Sequence, residues 1–291
     1  MFPFKLVYHE GYDLNIGPHV FPTGKYRRVH AVLLRDKLAE PADFLTPEPA
    51  SDKDVLRVHS KEYVYKLKTG RLSPSELMRL EIPYSPRTVE AFWLAAGGTI
   101  LAGQRALAEG FAANIGGGFH HAFPDHGEGF CMIHDVGVAI RRLQADGAIR
   151  TAMVVDTDVH QGNGTAAIFG GDETVFTLSI HQENNYPLPK PPSNIDLHLA
   201  DGIGDADYLV ILEKHLRQAL REFRPDMLFY LGGADPYRED QLGGLALTIE
   251  GLRQRDLLVF ELARGDRIPV VITLAGGYAR RVDDKIGRAH V

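Results

Sequence analysis

Short apolar runs that alternate with helical segments constrain the fold of this chain more than any other feature. Apolar or β-branched residues fill positions 152–155, 227–231 and 270–274 and six of the seven positions 174–180, and such mainly apolar strands are typical of sheets buried on both faces. The alternation predicts the α/β class, with a central, mainly parallel sheet flanked by helices on both faces. A further strand is predicted at 5–9, and the predicted helices cover residues 21–38, 51–70, 88–109, 135–143, 205–223 and 248–264.

Composition narrows the classes of protein to which this 291-residue chain can belong. Its 44% hydrophobic content, with no linker or repeat, predicts a single domain over residues 1–291. The net charge is −6 and no run of Lys or Arg exceeds two residues, so direct binding to nucleic acid or to an anionic membrane is not expected. A single cysteine, Cys131, with no signal peptide pattern and no long apolar stretch, predicts a cytoplasmic protein.

The apolar run at 152–155 leads into the segment D-T-D-V-H-Q-G-N-G, which carries the strongest chemical signal. Alternate side chains of an extended chain share a face, so Asp156, Asp158 and His160 are predicted to project together. A bound cation stabilises two carboxylates and an imidazole on one buried face, because without it they lose hydration and the carboxylates repel each other. The alternative is a solvated strand end with incidental charges.

Two further predicted strands also end in reactive groups, since Asp235 follows one of them and Tyr278 follows another. Ligands of open parallel sheets bind beyond the carboxyl ends of the strands. The glycine-rich segment 114–131, which is predicted to be neither helix nor strand, adds the adjacent His120 and His121. These groups together form a hydrolytic set, in which a histidine accepts a proton from activated water and Tyr278 donates to the oxyanion.

Asp158, His160 and Asp235 give a metal three protein ligands and leave one position open, which is typical of catalytic rather than structural zinc. Binuclear sites in such sheets need bridging carboxylates, but Gly162 and Gly233 stand at the corresponding positions. One metal is therefore predicted. Two oxygen donors and one nitrogen donor favour Zn(II), with Fe(II) as the alternative.

With these motifs in view, the chain resembles the histone deacetylase superfamily over nearly its whole length. Its sequence also contains three segments that most resemble the class IV branch and its bacterial relatives: I-P-Y-S-P at 82–86, H-Q-G-N-G at 160–164 and N-Y-P at 185–187. The wider resemblance rests on G-G-G-F-H-H at 116–121, G-F-C at 129–131, D-x-D-x-H at 156–160, G-A-D-P at 233–236 and G-G-Y at 276–278.

The resemblance implies an arginase/deacetylase fold and a zinc-dependent amide hydrolase that removes acetyl or longer acyl groups from lysine side chains of proteins. It implies that Asp156 orients His120 instead of binding the zinc. The implied zinc ligands are Asp158, His160 and Asp235, the oxyanion donor is Tyr278, and the proton-transferring residues are His120 and His121.

The same resemblance implies two further features. A structural K⁺ is expected near Asp156, Asp158, His160 and Ser179, bound mostly by backbone carbonyls. The tunnel for the acyl-lysine is expected to be lined by Gly129, Phe130 and Tyr186.

One residue departs from the commoner deacetylases, because Asn163 stands where an aspartate would support the second histidine. A neutral partner stabilises an imidazolium less than a carboxylate does, so His121 is expected to be less basic. We interpret His121 as the general base, which then acts as the acid for the leaving lysine.

Two other functions stay open on the sequence alone. The first is hydrolysis of small acetylated amines such as acetylpolyamines, which would favour an acidic entrance; Glu81, Asp125 and Glu128 are candidates for it. The second is a catalytically silent module that binds acyl-lysine. No sequence feature predicts an oligomeric state.

Overall fold

The computed structural model describes residues 3–281, and at its centre is an eight-stranded sheet in which all strand pairs are parallel. The order across the sheet is β2-β1-β3-β8-β7-β4-β5-β6. The predicted α/β class with a parallel sheet is therefore confirmed. The strands are β1 (Lys5–Val7), β2 (Phe44–Leu45), β3 (Phe111–Asn114), β4 (Ala152–Asp156), β5 (Val175–Gln182), β6 (Ile195–Leu199), β7 (Met227–Leu231) and β8 (Val270–Thr273).

Helices cover the sheet. The central strands β4, β7 and β8 are buried at every residue, as expected when both faces of a sheet are covered. No helix within residues 3–281 is both long and apolar enough to cross a membrane. The helices are α1 (Lys25–Arg35), α2 (Asp52–Val55), α3 (Lys61–Thr69), α4 (Pro74–Leu80), α5 (Pro86–Glu109), α6 (Asp135–Ala145), α7 (Asn163–Phe169), α8 (Asp205–Phe223) and α9 (Ile249–Gly265).

The longest helix, α5, packs on α6 and on strands β1, β3 and β8, whereas α8 packs on α9 and on β5. Helix α5 begins after Ser85, whose hydroxyl accepts a hydrogen bond from the backbone N–H of Thr88. Fifteen of its residues are buried, which agrees with the prediction of a long, Ala-rich, largely buried helix. This helix forms the main support for the half of the sheet that contains β1, β3 and β8.

The helical stretch predicted at 51–70 is two helices in the structure, α2 and α3. Ser60 lies between them, and its hydroxyl accepts a hydrogen bond from the N–H of Tyr63, so a new helix begins at Lys61. The helix predicted at 21–38 is shorter in the structure, where α1 begins at Lys25 and ends at Arg35. Local capping has overridden a continuous apolar periodicity in the first case.

Several elements were not predicted. Strand β3 has the sequence Phe-Ala-Ala-Asn, which lacks the β-branched residues that signal a strand. Strand β6 is an edge strand that alternates buried Leu197 and Leu199 with more exposed residues. Helix α4 begins with a capping box formed by Ser73 and Glu76, which is a readable signal in the sequence. The short elements β2 and α7 also lie outside the predicted set.

The sheet order brings the chemically important segments to one edge. Strand β4 pairs with β7, and β7 pairs with β8. Because all three strands run in the same direction, the segments that follow them, at 157–162, 232–236 and 274–278, meet at the carboxyl edge of the sheet. Residues 1–2 and 282–291 of the predicted single domain lie outside the described residues.

Candidate active site

A buried cluster of two carboxylates and an imidazole lies where the segments after β4 and β7 meet. Asp158, His160 and Asp235 each offer a ligand atom, and these atoms all lie within 4.8 Å of one another. Nδ1 of His160 is 3.0 Å from Oδ1 of Asp158 and 3.4 Å from Oδ2 of Asp235. Within residues 3–281 this is the one group of three such side chains with metal-binding spacing. The structure thus brings together the three residues that were predicted to bind a metal.

The donor atoms of this cluster fit a cation. Oδ2 of Asp235 is buried and accepts no hydrogen bond from any described residue, which is rare for a buried carboxylate oxygen. Burial, and then the charge of Asp158, raise the pKa of Asp235 to about 7. A positive ion at this position would provide a partner for Oδ2 of Asp235 and would reduce the repulsion between the two carboxylates.

Gly276 provides the space for the two carboxylates. A Cβ atom at this position would lie 2.0 Å from Oδ2 of Asp235 and 2.5 Å from Oδ2 of Asp158. The backbone N–H of Gly276 also donates a hydrogen bond to Oδ2 of Asp158 at 2.7 Å. The first glycine of the G-G-Y segment after β8 therefore positions the cluster and cannot carry a side chain without displacing it.

Asp156 is not part of the cluster. Strand β4 ends at Asp156, so the extended geometry that would place Asp156, Asp158 and His160 on one face does not continue beyond it. The expectation from spacing alone was therefore wrong for Asp156. Its Oδ2 lies 2.7 Å from Nδ1 of His120, and its Oδ1 accepts a hydrogen bond from the N–H of Asp158.

The two adjacent histidines have different electrostatic surroundings. Burial by itself lowers the pKa of His120, but the charges of Asp156 and Asp158 outweigh it and raise the pKa to about 9. Burial lowers the pKa of His121 well below its usual value, and positive charge on His120 or His160 lowers it further. Nδ1 of His121 lies 2.7 Å from Oδ1 of Asn163. Each histidine therefore has a different partner, a carboxylate for one and an amide for the other.

The loop that carries these histidines is fixed by groups that the motif analysis did not assign. The carboxylate of Asp135, at the start of α6, accepts hydrogen bonds from the N–H groups of Gly118 and Phe119. On the other side, the first turn of α7 lies so close that a Cβ at Gly164 would be 2.4 Å from the carbonyl oxygen of Ala122. The one sequence signal for Asp135 is its position as the first residue of a predicted helix.

A narrow cavity of about 280 Å³ leads from the surface to the cluster. The ring of Phe130 stacks on Phe21 with centroids 5.7 Å apart, and the edge of Tyr186 contacts His121 with ring centroids 4.9 Å apart. The structure therefore brings the three residues predicted to line a substrate tunnel, Gly129, Phe130 and Tyr186, next to His121 and His160.

Tyr278 also lines this cavity and is held by its backbone. Its N–H donates to Oδ2 of Asp240 at 2.6 Å, and its carbonyl accepts a hydrogen bond from Gln241 at 2.7 Å. Burial, and then the charges of Asp158 and Asp235, raise the pKa of the Tyr278 hydroxyl. The phenol is therefore a neutral hydrogen-bond donor throughout the physiological range.

Ser179 lies on the neighbouring strand, β5, in register with Asp156. It is buried, and its hydroxyl is 2.9 Å from Nδ1 of His181. The carboxyl end of β4 thus lies beside the middle of β5 at the position where a second cation was predicted.

Two residues that contact the site were missed by the assignments from sequence. Arg255 of α9 is 1% exposed, and its guanidinium donates to the carbonyl of Gly233 at 2.6 Å, two residues before Asp235. Glu128 was considered only as part of an acidic entrance, yet it accepts hydrogen bonds from Asn163 and Tyr186. A charged residue within an amphipathic helix or a loop carries no local signal for such long-range contacts.

Comparisons of this chain with family models, known sequences and solved structures all find histone deacetylases. The model of the histone deacetylase domain matches residues 19–291. An uncharacterized protein of Picosynechococcus sp. is 41% identical over 98% of this chain and 95% of its own length. Histone deacetylase 2 of Arabidopsis thaliana is 33% identical over 97% of this chain and 77% of its own length. Among solved structures, a histone deacetylase homologue complexed with SAHA superposes with a TM-score of 0.83 at 25% identity, covering 97% of this chain and 81% of that one.

Proposed function

Because the chain belongs to the histone deacetylase family of amidohydrolases, we propose that it removes acetyl groups from lysine side chains of proteins or peptides by metal-dependent hydrolysis. One observation carries this proposal: the buried Asp158, His160 and Asp235 cluster lies at the base of a narrow cavity that also contains His121 and Tyr278. This arrangement combines a site for a Lewis acid, a proton acceptor and an oxyanion donor around one reacting carbonyl.

Asp158, His160 and Asp235 would hold the metal, which we propose to be Zn²⁺, with Fe²⁺ as the alternative. A bound divalent ion supplies Lewis acidity, which polarises an amide carbonyl and lowers the pKa of a coordinated water to near ~7. The orphan oxygen of Asp235 and the space left by Gly276 support this assignment.

The two histidines would have different roles, with His121 carrying both proton transfers. The low pKa of His121, caused mainly by its burial, suits a neutral imidazole that accepts the proton of the attacking water and passes it to the departing lysine amine. His120 is paired with Asp156 at 2.7 Å and would remain positively charged beside the developing negative charge. Tyr278 would donate its phenolic proton in a hydrogen bond to the oxyanion.

The cavity supports a preference for a short acyl group. The aromatic rings of Phe130 and Tyr186 suit the methylene chain of a lysine. Behind them, a second cavity lined by Tyr26, Gly118 and Cys131 among others has a volume of only about 20 Å³. That volume is near the ~10–15 Å³ needed for one water, so we propose acetyl as the preferred acyl group and not the longer chains that the sequence left open.

Three finer parts of the proposal rest on resemblance together with position. A structural K⁺ would lie between the end of β4 and the middle of β5, near Asp156, Asp158, His160 and Ser179. A place in the class IV branch is supported by the H-Q-G-N-G, I-P-Y-S-P and N-Y-P segments. A reducing, cytoplasmic compartment is supported by the single cysteine, Cys131, which is buried and forms no disulfide.

Hydrolysis of small acetylated amines is the second candidate, and a specific observation favours it. Glu81 lines both cavities next to Tyr186, and Glu128 lines the second of them. A negative entrance attracts a second positive charge on the substrate, as in a polyamine or a basic peptide.

The test uses zinc-loaded protein, a panel of lysine peptides bearing acetyl to myristoyl groups, and N-acetylated polyamines. We expect turnover of acetyl-lysine peptides that falls steeply with chain length. Tyr278→Phe should lower kcat by about 10²–10³ because it removes one oxyanion donor. Turnover of polyamines alone would assign the protein to small-molecule hydrolysis. Binding of acyl-lysine peptides with no metal-dependent turnover of any substrate would refute the catalytic proposal.

A further inference from the structure

Glu128 occupies an unusual position in the wall of the tunnel. It directly precedes Gly129 and Phe130, and its side chain is only 16% exposed. On one side of this wall is the tunnel, and on the other is a separate cavity of about 410 Å³ that Glu128, Asn163 and Tyr186 all line. A carboxylate buried to this extent has to be fully hydrogen-bonded if it is to stay charged.

The hydrogen bonds of this carboxylate lead to His121. Oε1 of Glu128 accepts a hydrogen bond from Nδ2 of Asn163 at 2.5 Å and one from the hydroxyl of Tyr186 at 2.7 Å. Oε2 lies 3.4 Å from Nε2 of His126. On its other end, Asn163 faces His121, whose Nδ1 is 2.7 Å from Oδ1. A continuous chain therefore runs from Glu128 through the amide of Asn163 to His121.

The backbone around Glu128 is fixed as well. The N–H groups of Gly129 and Phe130 donate to the carbonyls of Arg79 and Leu80 at the end of α4. The N–H of Cys131 donates to the carbonyl of Glu128 itself. The carboxylate thus projects from a segment anchored on a helix end, which is the kind of rigid support that precise orientation of a catalytic group requires.

An amide has two different ends, and only one orientation satisfies the groups around Asn163. With Nδ2 towards the carboxylate, Oδ1 accepts hydrogen bonds from the N–H of Gly164 and from Nδ1–H of His121. The flipped amide would place its oxygen 2.5 Å from a carboxylate oxygen and its NH₂ against the N–H of Gly164. Since donors would face donors and acceptors would face acceptors, the flip is strongly unfavourable.

We infer that Glu128 is a positioning residue for His121, which acts through Asn163 by fixing the amide so that Nδ1 of His121 carries the proton and Nε2 stays free to accept one. Within residues 3–281, no carboxylate contacts Nδ1 of His121 directly. The nearest carboxylate in this chain of hydrogen bonds is that of Glu128, which binds the amide of Asn163 and also accepts a hydrogen bond from the tunnel residue Tyr186. The kinetic part of this inference rests on the proposed function, whereas the structural part does not.

The test compares Glu128→Ala, Glu128→Gln, Asn163→Asp and the double variant Asn163→Asp/Glu128→Gln with the wild type, all loaded with zinc. Glu173→Ala is the matched control, because it removes an exposed glutamate that lines neither of the two cavities beside Tyr186. The first readout is NMR of the Asn163 side-chain amide and of the histidine ring nitrogens, which needs no substrate. The second is kcat and KM on an acetyl-lysine peptide, and thermal unfolding checks that each variant is folded.

Glu128→Ala should release the Asn163 amide protons to rapid exchange, mix the two tautomers of His121 and lower kcat by roughly 10- to 100-fold, as removal of an orienting partner does. Glu128→Gln should keep the Nδ1–H tautomer and kcat within about threefold, because the glutamine oxygen still accepts from Asn163 and Tyr186. Asn163→Asp alone should lose activity, since it sets two carboxylates in contact. Adding Glu128→Gln should restore it.

Two results would overturn the inference. One is a Glu128→Ala variant with an unchanged Asn163 amide, an unchanged His121 tautomer and kcat within twofold of wild type. The other is an equal loss in Glu128→Gln and Glu128→Ala, which would mean that charge and not orientation is required. If the wild type hydrolyses no acyl substrate, the proposed function fails, and the NMR comparison still decides the role of Glu128. If Glu128→Ala does not fold, restoration by the double variant decides it.

Discussion

Replacing Gly276 with alanine tests the assignment of the metal site most directly, because the structure gives the displacement. The added Cβ would start 2.0 Å from Oδ2 of Asp235, whereas ordinary contacts begin at 3.4 Å. Either Asp235 or the backbone of the 274–278 segment must therefore move by more than 1 Å, which is several times the ~0.2 Å tolerance of a metal–ligand distance. The variant should lose Asp235 as a ligand while the rest of the fold stays intact.

The expected magnitude follows from the loss of one direct ligand. Changing a residue that only orients a ligand weakens metal binding by about 10- to 100-fold, so displacing a ligand itself should cost at least about 100-fold. At free zinc near ~1,000 times the wild-type Kd, binding stabilises the fold by about 4 kcal/mol. For Gly276→Ala the same zinc concentration is only about 10 times Kd, and the stabilisation falls to about 1.4 kcal/mol.

The assay is zinc affinity by competition with a chelator, together with urea unfolding with and without zinc. Gly265→Ala is the matched control, because a Cβ at the end of α9 meets no atom within 4 Å. That variant should bind zinc like the wild type. A Gly276→Ala protein with wild-type zinc affinity would refute the conclusion that this glycine makes room for the metal ligands.

Two further predictions concern stability. Burial lowers the pKa of His59 to about 4 and that of His134 to about 3. Below pH ~6.5 the unfolded chain therefore binds protons at these histidines that the folded protein does not. The free energy of unfolding should fall by about 2 kcal/mol per histidine between pH 7 and 5. Urea unfolding across this range measures the slope, and His59→Gln, which can keep both hydrogen bonds, should remove about one histidine's share. Arg255→Met should lower the free energy of unfolding by about 3–5 kcal/mol, since it leaves Asp256 and the carbonyl of Gly233 without their buried partner.

The controls for these two predictions lie in the same chain. Arg253→Met removes an arginine of α9 that is 43% exposed and paired with Glu250, so it should lower the free energy of unfolding far less than Arg255→Met does, because solvent screens an exposed ion pair. Equal effects of the two arginine substitutions would contradict the structural role of Arg255. For the histidines, a pH slope that is the same in His59→Gln and in the wild type would contradict the view that His59 is held neutral.

The sequence predicted those parts of the molecule whose signal is local. Strands β4, β5, β7 and β8 are short and mainly apolar, with β-branched residues in β4, β5 and β8 and aromatic residues in β7, so their pattern alone identifies them. Strand β3 was missed because its alanines have no strand preference and are held there by pairing with β1 and β8. Two helix starts were not predicted although their caps are visible in the sequence. They are the start of α4 at its Ser73–Glu76 capping box and the start of α3 after Ser60.

The same distinction applies to the site. Asp158, His160 and Asp235 were predictable because each follows a strand, and the topology of parallel sheets brings strand ends together. The contact between Asn163 and Glu128 spans 35 residues and depends on how a loop is anchored to α4. The hydrogen bond from Arg255 to the carbonyl of Gly233 depends on how α9 packs. Neither contact leaves a periodic or motif signal in the sequence.

The central position of β8 in the sheet has a consequence for how the protein is made. Among the strands within residues 3–281 it is the last along the chain, yet it lies between β3 and β7. Until residues 270–273 leave the ribosome, the nascent chain can form only two separate sheets, β2-β1-β3 and β7-β4-β5-β6. During that time both β3 and β7 present an unpaired edge, and such edges promote aggregation during synthesis.

Insertion of β8 joins the two half-sheets, and the segment that follows it delivers Gly276 and Tyr278 in the same step. The joined sheet and the complete candidate site therefore both depend on the same segment of the chain. A chain that stops before β8 would leave the β3 and β7 edges unpaired and would lack both Gly276 and Tyr278.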